Sequence, residues 1–544
     1  MKLSKIGFLF ASSVLIATAV SAQKGSFSWS HLPTAELPSF KKDTFNIVKY
    51  GAVADGITLN TNSINKTIDV CSAKGGGVVL IPQGLWMTGP IELKSNVNLH
   101  IVHSALLQFT DDKSQYKIVL GEFEGHASPR NQSPITGTNL TNVAITGDGI
   151  IDGHGEVWRD IAKERLIGAD WKKLVASGGV VSEDGKEWYP SQSYLTGLKT
   201  KNVLKLEPGK TLKDYEGVKD FLRPNMIVFN NCKKVLLQNT TFQNSPAWCL
   251  HTILCQELTV KGVHVRNEWN AHNGDAIDVE SCKDVLIEGS TFDAGDDGIC
   301  IKSGRDEDGR KRGVPTENVV VRDCIVYKSH GGFVIGSEMS GGARNIFVSN
   351  CTFIGSDIGL RFKTTRGRGG LVENIFIKNI SMKDIVHEAI LFDMYYMVKS
   401  LKKEIKPVTE ATPQFRDFYV NNVVCYGAEK GIMVRGLPEM SIKGIHLENM
   451  VLNVKKGVDL IEADNISLKN VTVNVTDTTA LVNIDNGSNI ILDNFKYSHN
   501  TDLLFNVAGE KSLAIKVLNS DVTGAKKKAE FINGANENAL IIAK

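Results

Sequence analysis

The chain lacks the features that would point to a nucleic acid or to a zinc site. Its formal net charge is only +2 over 544 residues, so no global basic field is available to attract nucleic acid. A preference for an anionic ligand would have to come from local charge. Nine cysteines are present, but no paired Cys-x-x-Cys with histidine partners occurs, which removes the zinc reading. Beyond residue 22 no run is long and apolar enough to cross a membrane. The repeated segments described next lack the three-and-four apolar spacing of helices, which excludes a helical solenoid.

The first 22 residues read as an export signal. Lys2 and Lys5 precede the apolar stretch Ile6–Val20, and Val20-Ser21-Ala22 supplies a small-residue cleavage site before Gln23. The rest of the chain repeats itself. Val235-Leu-Leu-Gln-Asn239, Val285-Leu-Ile-Glu-Gly289, Val319-Val-Val-Arg-Asp323, Ile346-Phe-Val-Ser-Asn350 and Ile375-Phe-Ile-Lys-Asn379 align. So do Phe418–Asn422, Ile445–Asn449, Ile466–Asn470 and Ile490–Asn494. Apolar residues at the first and third places give strand alternation. The closing Asn, Asp or Gly tolerates a left-handed bend, and stacked asparagines can hydrogen-bond from coil to coil. Such a unit cannot bury its apolar face alone, so the pattern predicts an all-β, right-handed parallel β-helix. Cys232, Cys255 and Cys282 recur at one repeat position, and Cys324 and Cys351 at another, as expected of stacked free thiols rather than bridges.

The ends and one interruption stand apart. Asn62–Lys74 is predicted as an amphipathic helix, stopped by Gly75-Gly76-Gly77, that caps the open N-terminal end. Residues 158–222, with Trp158, Trp171, Trp188 and Tyr189, break the rhythm and read as an insertion between coils, placed to wall a groove. Residues 23–544 are expected to form one catalytic β-helix domain, with 495–544 as its last coils and cap.

Chemistry gathers on neighbouring repeats. Asn273-Gly-Asp275, Asp296-Asp297-Gly298, His330-Gly-Gly332 and Arg361-Phe-Lys363 lie about one coil apart in succession. A solenoid stacks them into one patch of three carboxylates, an imidazole, a guanidinium and an ammonium. Each motif alone is ordinary turn or strand-edge chemistry. Together they supply a proton donor and a water-activating base, the groups that glycoside hydrolysis needs.

These motifs, with Tyr50–Gly56, Gly147–Gly153 and Asn244-Ser-Pro-Ala-Trp248, resemble glycoside hydrolase family 28, the polygalacturonase family. The resemblance spans about residues 44–480. Gly274, Ser329 and Phe362 depart from its usual wording without removing a reactive side chain. It implies that Asp296 is the general acid, that Asp275 and Asp297 activate the attacking water with inversion, and that His330 holds the acid's protonation state. It further implies that Arg361 and Lys363 grip a galacturonate carboxylate, that Asn273 positions substrate and that Tyr396 contacts a sugar. Arg366 and Arg368, just beyond, are either a second carboxylate contact or a glycine-rich surface loop. The presence of Asn273 and His330 favours galacturonate over the rhamnogalacturonan branch, and the 158–222 insertion favours exo over endo action. The expected partner is pectic polysaccharide, and the expected state is an exported monomer that needs no cofactor or metal. The competing readings are a calcium-dependent pectate lyase and a non-catalytic carbohydrate-binding β-helix.

Overall fold

A computed structural model describes residues 27–398, 404–498 and 500–543. The export signal read in residues 1–22 lies outside the described residues. The chain divides into residues 1–32 and residues 33–544. Within the first unit Ser28 and His31 exchange backbone hydrogen bonds.

Residues 33–544 wind as a right-handed parallel β-helix. The register is the one the repeats predict, residue by residue. Val235 pairs with Leu258, and the column continues through Val285, Val319, Ile346, Ile375, Phe418, Ile445, Ile466 and Ile490. The coil of Leu258 escaped the sequence alignment although it too closes on glycine, at Gly262. The nine closing residues read in the sequence all take left-handed backbone, from φ 51° at Asn494 to 64° at Asn239. Their amides form a ladder: Asn379 donates to Asn350 at 2.9 Å, Asn422 to Asn379 at 2.9 Å and Asn470 to Asn449 at 2.9 Å. All nine cysteines are free and buried.

The helix spans Thr61–Ala73, with Ile64, Ile68 and Cys71 buried at the N-terminal end of the solenoid. Gly76 is obligatory at its stop: φ is 99°, and a Cβ there would lie 2.3 Å from the Asn96 carbonyl oxygen.

A second, 14-stranded parallel sheet carries the chemistry. Its inward column runs Ile277, Ile299, Phe333, Leu360 and Ile390, all fully buried. With those residues in the core, Cys300, Val334 and Arg361 form the adjacent outward column, and Glu280 and Lys302 the next. Two segments rise over this sheet. Residues 158–222 fold into short antiparallel strands, the helices Gly168–Ala176 and Gln192–Lys199, and a 3-10 segment Leu212–Phe221. The other is an antiparallel hairpin, Ile118–Phe123 with His126–Asn131, that the repeats did not reveal. The two pack together through Ile118, Val203, Tyr215 and Leu222.

Candidate active site

Asp275, Asp296 and Asp297 converge, each offering an oxygen within 4.8 Å of the others. Asp297 opens the strand Asp297–Lys302, and Asp275 sits one coil earlier, where its carbonyl accepts the Cys249 amide. The bend between Gly295 and the strand turns Asp296 toward solvent. Asp275 and Asp297 are almost wholly buried, whereas Asp296 keeps 18% of its side chain exposed.

The three carboxyls are electrically unequal. Burial alone would raise Asp297, but Lys363 and Arg361 outweigh it and hold its pKa far below the usual carboxylate range. Lys363 Nζ donates to Asp297 Oδ2 at 2.6 Å, and Arg361 Nη1 lies 3.3 Å from Oδ1. Among the described residues Asp275 closes no such ion pair, and its Oδ1 makes no hydrogen bond. Burial, reinforced by Asp278 and Asp296 and only partly opposed by Lys302, raises its pKa well above the ordinary value and so favours its protonated form. His330 Nδ1 lies 3.0 Å from Asp296 Oδ1, and that contact raises the imidazole's pKa despite its partial burial. The cluster therefore combines one firmly ionised carboxylate with a stored proton beside the exposed Asp296.

The three carboxyls are closely spaced. Inverting glycosidases ordinarily separate two carboxyls by roughly 6.5–9.5 Å, and these are closer. A water donating to two oxygens spans about 4.5 Å, twice a hydrogen-bond length at a tetrahedral angle. Two of the three carboxylates can thus bracket a water while the third faces the glycosidic oxygen. A divalent cation suits the cluster poorly, because Arg361 and Lys363 take both Asp297 oxygens.

The cleft over this cluster, about 400 Å³, is also lined by Asn273, Lys302, Lys363, Arg368, Tyr396 and Trp248. Tyr396 roofs the cationic pair, its ring centroid 4.9 Å from Lys363 Nζ and 5.7 Å from the Arg361 guanidinium. Asn273 is held by Arg223 Nη2 at 2.9 Å. Arg368 reaches the cleft but is tied to Asp306 at 2.5 Å and Glu338 at 3.5 Å. Arg366 is gripped through two nitrogens by Glu439, at 2.6 and 2.8 Å, and does not line the cleft. Sequence reading missed Lys302, which bridges Asp278 and Glu338 beneath Trp248 at 4.7 Å, and Glu124 at the hairpin tip. The outward place of Lys302 on the strand opened by Asp297 was the available signal for the first. Nothing local marked the second. His251 is fully buried against Glu280 at 3.0 Å and belongs to the scaffold.

A parallel β-helix that gathers carboxylates at its strand starts beside a cationic pair on a neighbouring strand is the frame of a polysaccharide-cleaving enzyme. Residues 163–424 match the family described as glycosyl hydrolases family 28. A hyperthermoactive exopolygalacturonase of known structure from Thermotoga maritima is 32% identical, with TM-score 0.69, over 81% of this chain and 94% of that one. A probable polygalacturonase from Vitis vinifera is 26% identical over 82% of each protein. The exo-poly-alpha-D-galacturonosidase of Dickeya chrysanthemi is 27% identical over 70% of this chain and 61% of that protein. A family 28 exopolygalacturonase from Yersinia enterocolitica, 20% identical with TM-score 0.62, shares the fold. The chain belongs to glycosyl hydrolase family 28 and is a glycoside hydrolase.

Proposed function

We propose that this enzyme hydrolyses α-1,4-galacturonosidic linkages of pectic polysaccharide from a chain end, with inversion. In this reading Asp296, the exposed carboxyl beside His330, protonates the leaving oxygen. Asp297 and Asp275 orient the attacking water, and the ionised Asp297 takes its proton. Between turnovers Asp275 passes its proton to Asp296 and takes up the one that Asp297 received from water, so the three carboxyls, each with an oxygen within 4.8 Å of the others, return to their starting state. Arg361 and Lys363 meet the substrate carboxylate while anchoring Asp297, under the ring of Tyr396, and Asn273 positions the adjoining sugar. Arg368 contributes positive charge at the cleft's edge.

The observation that carries exo action is the roof. The hairpin 118–131 arches from the coil of Ile135 to that of Lys302, where Glu124 meets Arg305 at 2.6 Å and His126 meets Asp308 at 2.7 Å. A Cβ on Gly125 would lie 2.5 Å from the Arg305 nitrogen, so the tip seats closely. Behind it, Arg312 ties Glu280 at 2.7 Å to Glu122. The 158–222 insertion buttresses this roof through Leu204, which packs on Phe123 and Trp248. A cleft blocked toward the N-terminal coils admits a chain end rather than a chain interior. The chain-end activities named for the Thermotoga and Dickeya relatives support the same reading.

Export follows from the charged and apolar start of the sequence. Among the described residues no helix is long and apolar enough to cross a membrane. A monomer suffices, because every group invoked comes from one chain.

Time-resolved chromatography of products from de-esterified polygalacturonate tests the proposal. Monogalacturonate from the earliest time, with little fall in viscosity, is expected. Mixed oligomers with rapidly falling viscosity would replace the exo reading by an endo one. An ultraviolet-absorbing unsaturated product would replace hydrolysis by elimination.

A further inference from the structure

Beside the carboxylate cleft lies a second cavity, about 360 Å³ in volume, that the mechanism above touches at one residue only. His330 is the shared wall. Its Nδ1 meets Asp296 on the cleft side, and its Nε2 lies 3.9 Å from Asp357 Oδ2 on the other. Around the cavity stand Arg165, Trp269 and Lys328. Trp269 is 61% exposed, an unusual presentation for an indole unless something covers its face. The Arg165 guanidinium sits 5.5 Å from the ring centroid and donates to the Asn270 carbonyl at 3.2 Å. Among the described residues neither Arg165 nor Lys328 closes a salt bridge. This separates them from Arg361 and Lys363, both already engaged by Asp297.

An open aromatic face flanked by two uncommitted cations recognises a sugar ring that carries a carboxylate. The ring stacks on the indole while a planar fork and an ammonium meet the anion. A neutral sugar would use the indole and leave both cations without an anionic partner.

Resting on the galacturonide reading above, we propose that the Arg165–Trp269–Lys328 cavity is a second uronate-binding site. It holds a sugar unit of the same chain beyond the one gripped by Arg361 and Lys363. The ring lies against Trp269 and the carboxylate between Arg165 and Lys328. Because Arg165 comes from the 158–222 insertion, that insertion selects substrate as well as supporting the roof.

The test is a fluorescence titration of the Asp296→Asn enzyme with trigalacturonate and with neutral galactotriose, paired with kinetics of the active enzyme on di- and trigalacturonate. Trigalacturonate is expected to change a Trp emission signal that is absent in Trp269→Phe, and galactotriose to bind far more weakly. Combined Arg165→Ala and Lys328→Ala substitution is expected to weaken trigalacturonate binding about tenfold, the scale of one charge-assisted contact. In the active enzyme the same change should act on KM rather than kcat, and more on the trimer than on the dimer. Arg165→Lys should restore part of the loss. Unchanged trigalacturonate affinity in the double variant, or equal affinity for galactotriose, overturns the site. Cleavage of galacturonides with no effect of these substitutions removes this site and leaves the proposed function standing. Arg165-dependent trigalacturonate binding without turnover of any galacturonide does the reverse.

Discussion

The coils of residues 275–363 and those of residues 430–494 share one backbone plan and differ in what covers them. In the C-terminal coils the closing asparagines recur after 21 and 24 residues, with minimal loops. The strand place held by Asp297 passes there to Lys430 and Lys456. Lys430 pairs with Asp459, and Lys456 meets Glu429 at 3.0 Å with nearly half its side chain exposed. Over the cleft one coil stretches to 34 residues between Asp284 and Asn318, and the addition holds the helix Asp306–Arg312. That helix, the hairpin and Tyr396 bury the outward face. The same ladder positions then become an ionised Asp297, a protonated Asp275 and a captive Lys363. Strand geometry is common to both regions, and only the loops change the dielectric in which the charges sit.

Five substitutions would break or sharpen this contrast. Asp296→Asn and Asp297→Asn should each lower kcat on polygalacturonate by at least ~10³-fold. Asp459→Asn in the C-terminal coils should leave kcat unchanged, and an equal loss there would erase the distinction. Lys363→Ala strands the buried Asp297 charge and should cost about 3–5 kcal/mol in denaturant unfolding. Lys456→Ala should leave the denaturant midpoint nearly unchanged, because its partner Glu429 is solvated.

Asp275→Asn tests the stored proton. A carboxyl whose folded pKa is raised contributes stability below its unfolded value of 3.8, and that contribution is lost as pH rises toward the folded value. The variant should therefore be inactive yet gain about 1–3 kcal/mol over the parent near pH 8, a gain that disappears near pH 4. A Tm difference independent of pH would remove the proton from Asp275. His330 also has a raised folded pKa, so its contact with Asp296 stabilises fully below pH 6.5 and fades as pH rises through the folded value. In His330→Gln the basic limb of the kcat profile should shift, and an unmoved limb would assign it to another group. The smallest effect belongs to the shared ladder. Asn379→Ala should cost about 1–2 kcal/mol for forcing a left-handed bend on alanine. Asn379→Gly should cost less, since Gly289 occupies the equivalent place.

Much of this molecule was legible in one sequence because a solenoid converts sequence period into spatial register. The nine repeated segments coincide with the strand pairing, and the acidic motifs, one coil apart, had to meet. Arg366 shows the limit. Its spacing beside Arg361 and Lys363 left a carboxylate contact and a surface loop both open, and the partner that holds it, Glu439, lies more than seventy residues away. The hairpin 118–131 was invisible for a related reason: it stands outside the repeat, and its seat is defined by Arg305 and Arg312 rather than by its own residues.

The sequence by itself determined the parallel β-helix, its register, its capping helix and the meeting of Asp275, Asp296, Asp297, His330, Arg361 and Lys363. Alternating apolar residues and left-handed closing positions are local properties that repeat. Only the tertiary structure decided which carboxyl is ionised, which keeps a proton, where the cleft is roofed and which arginines remain open to an anion. Those outcomes depend on burial and on distances between residues that no local pattern encodes.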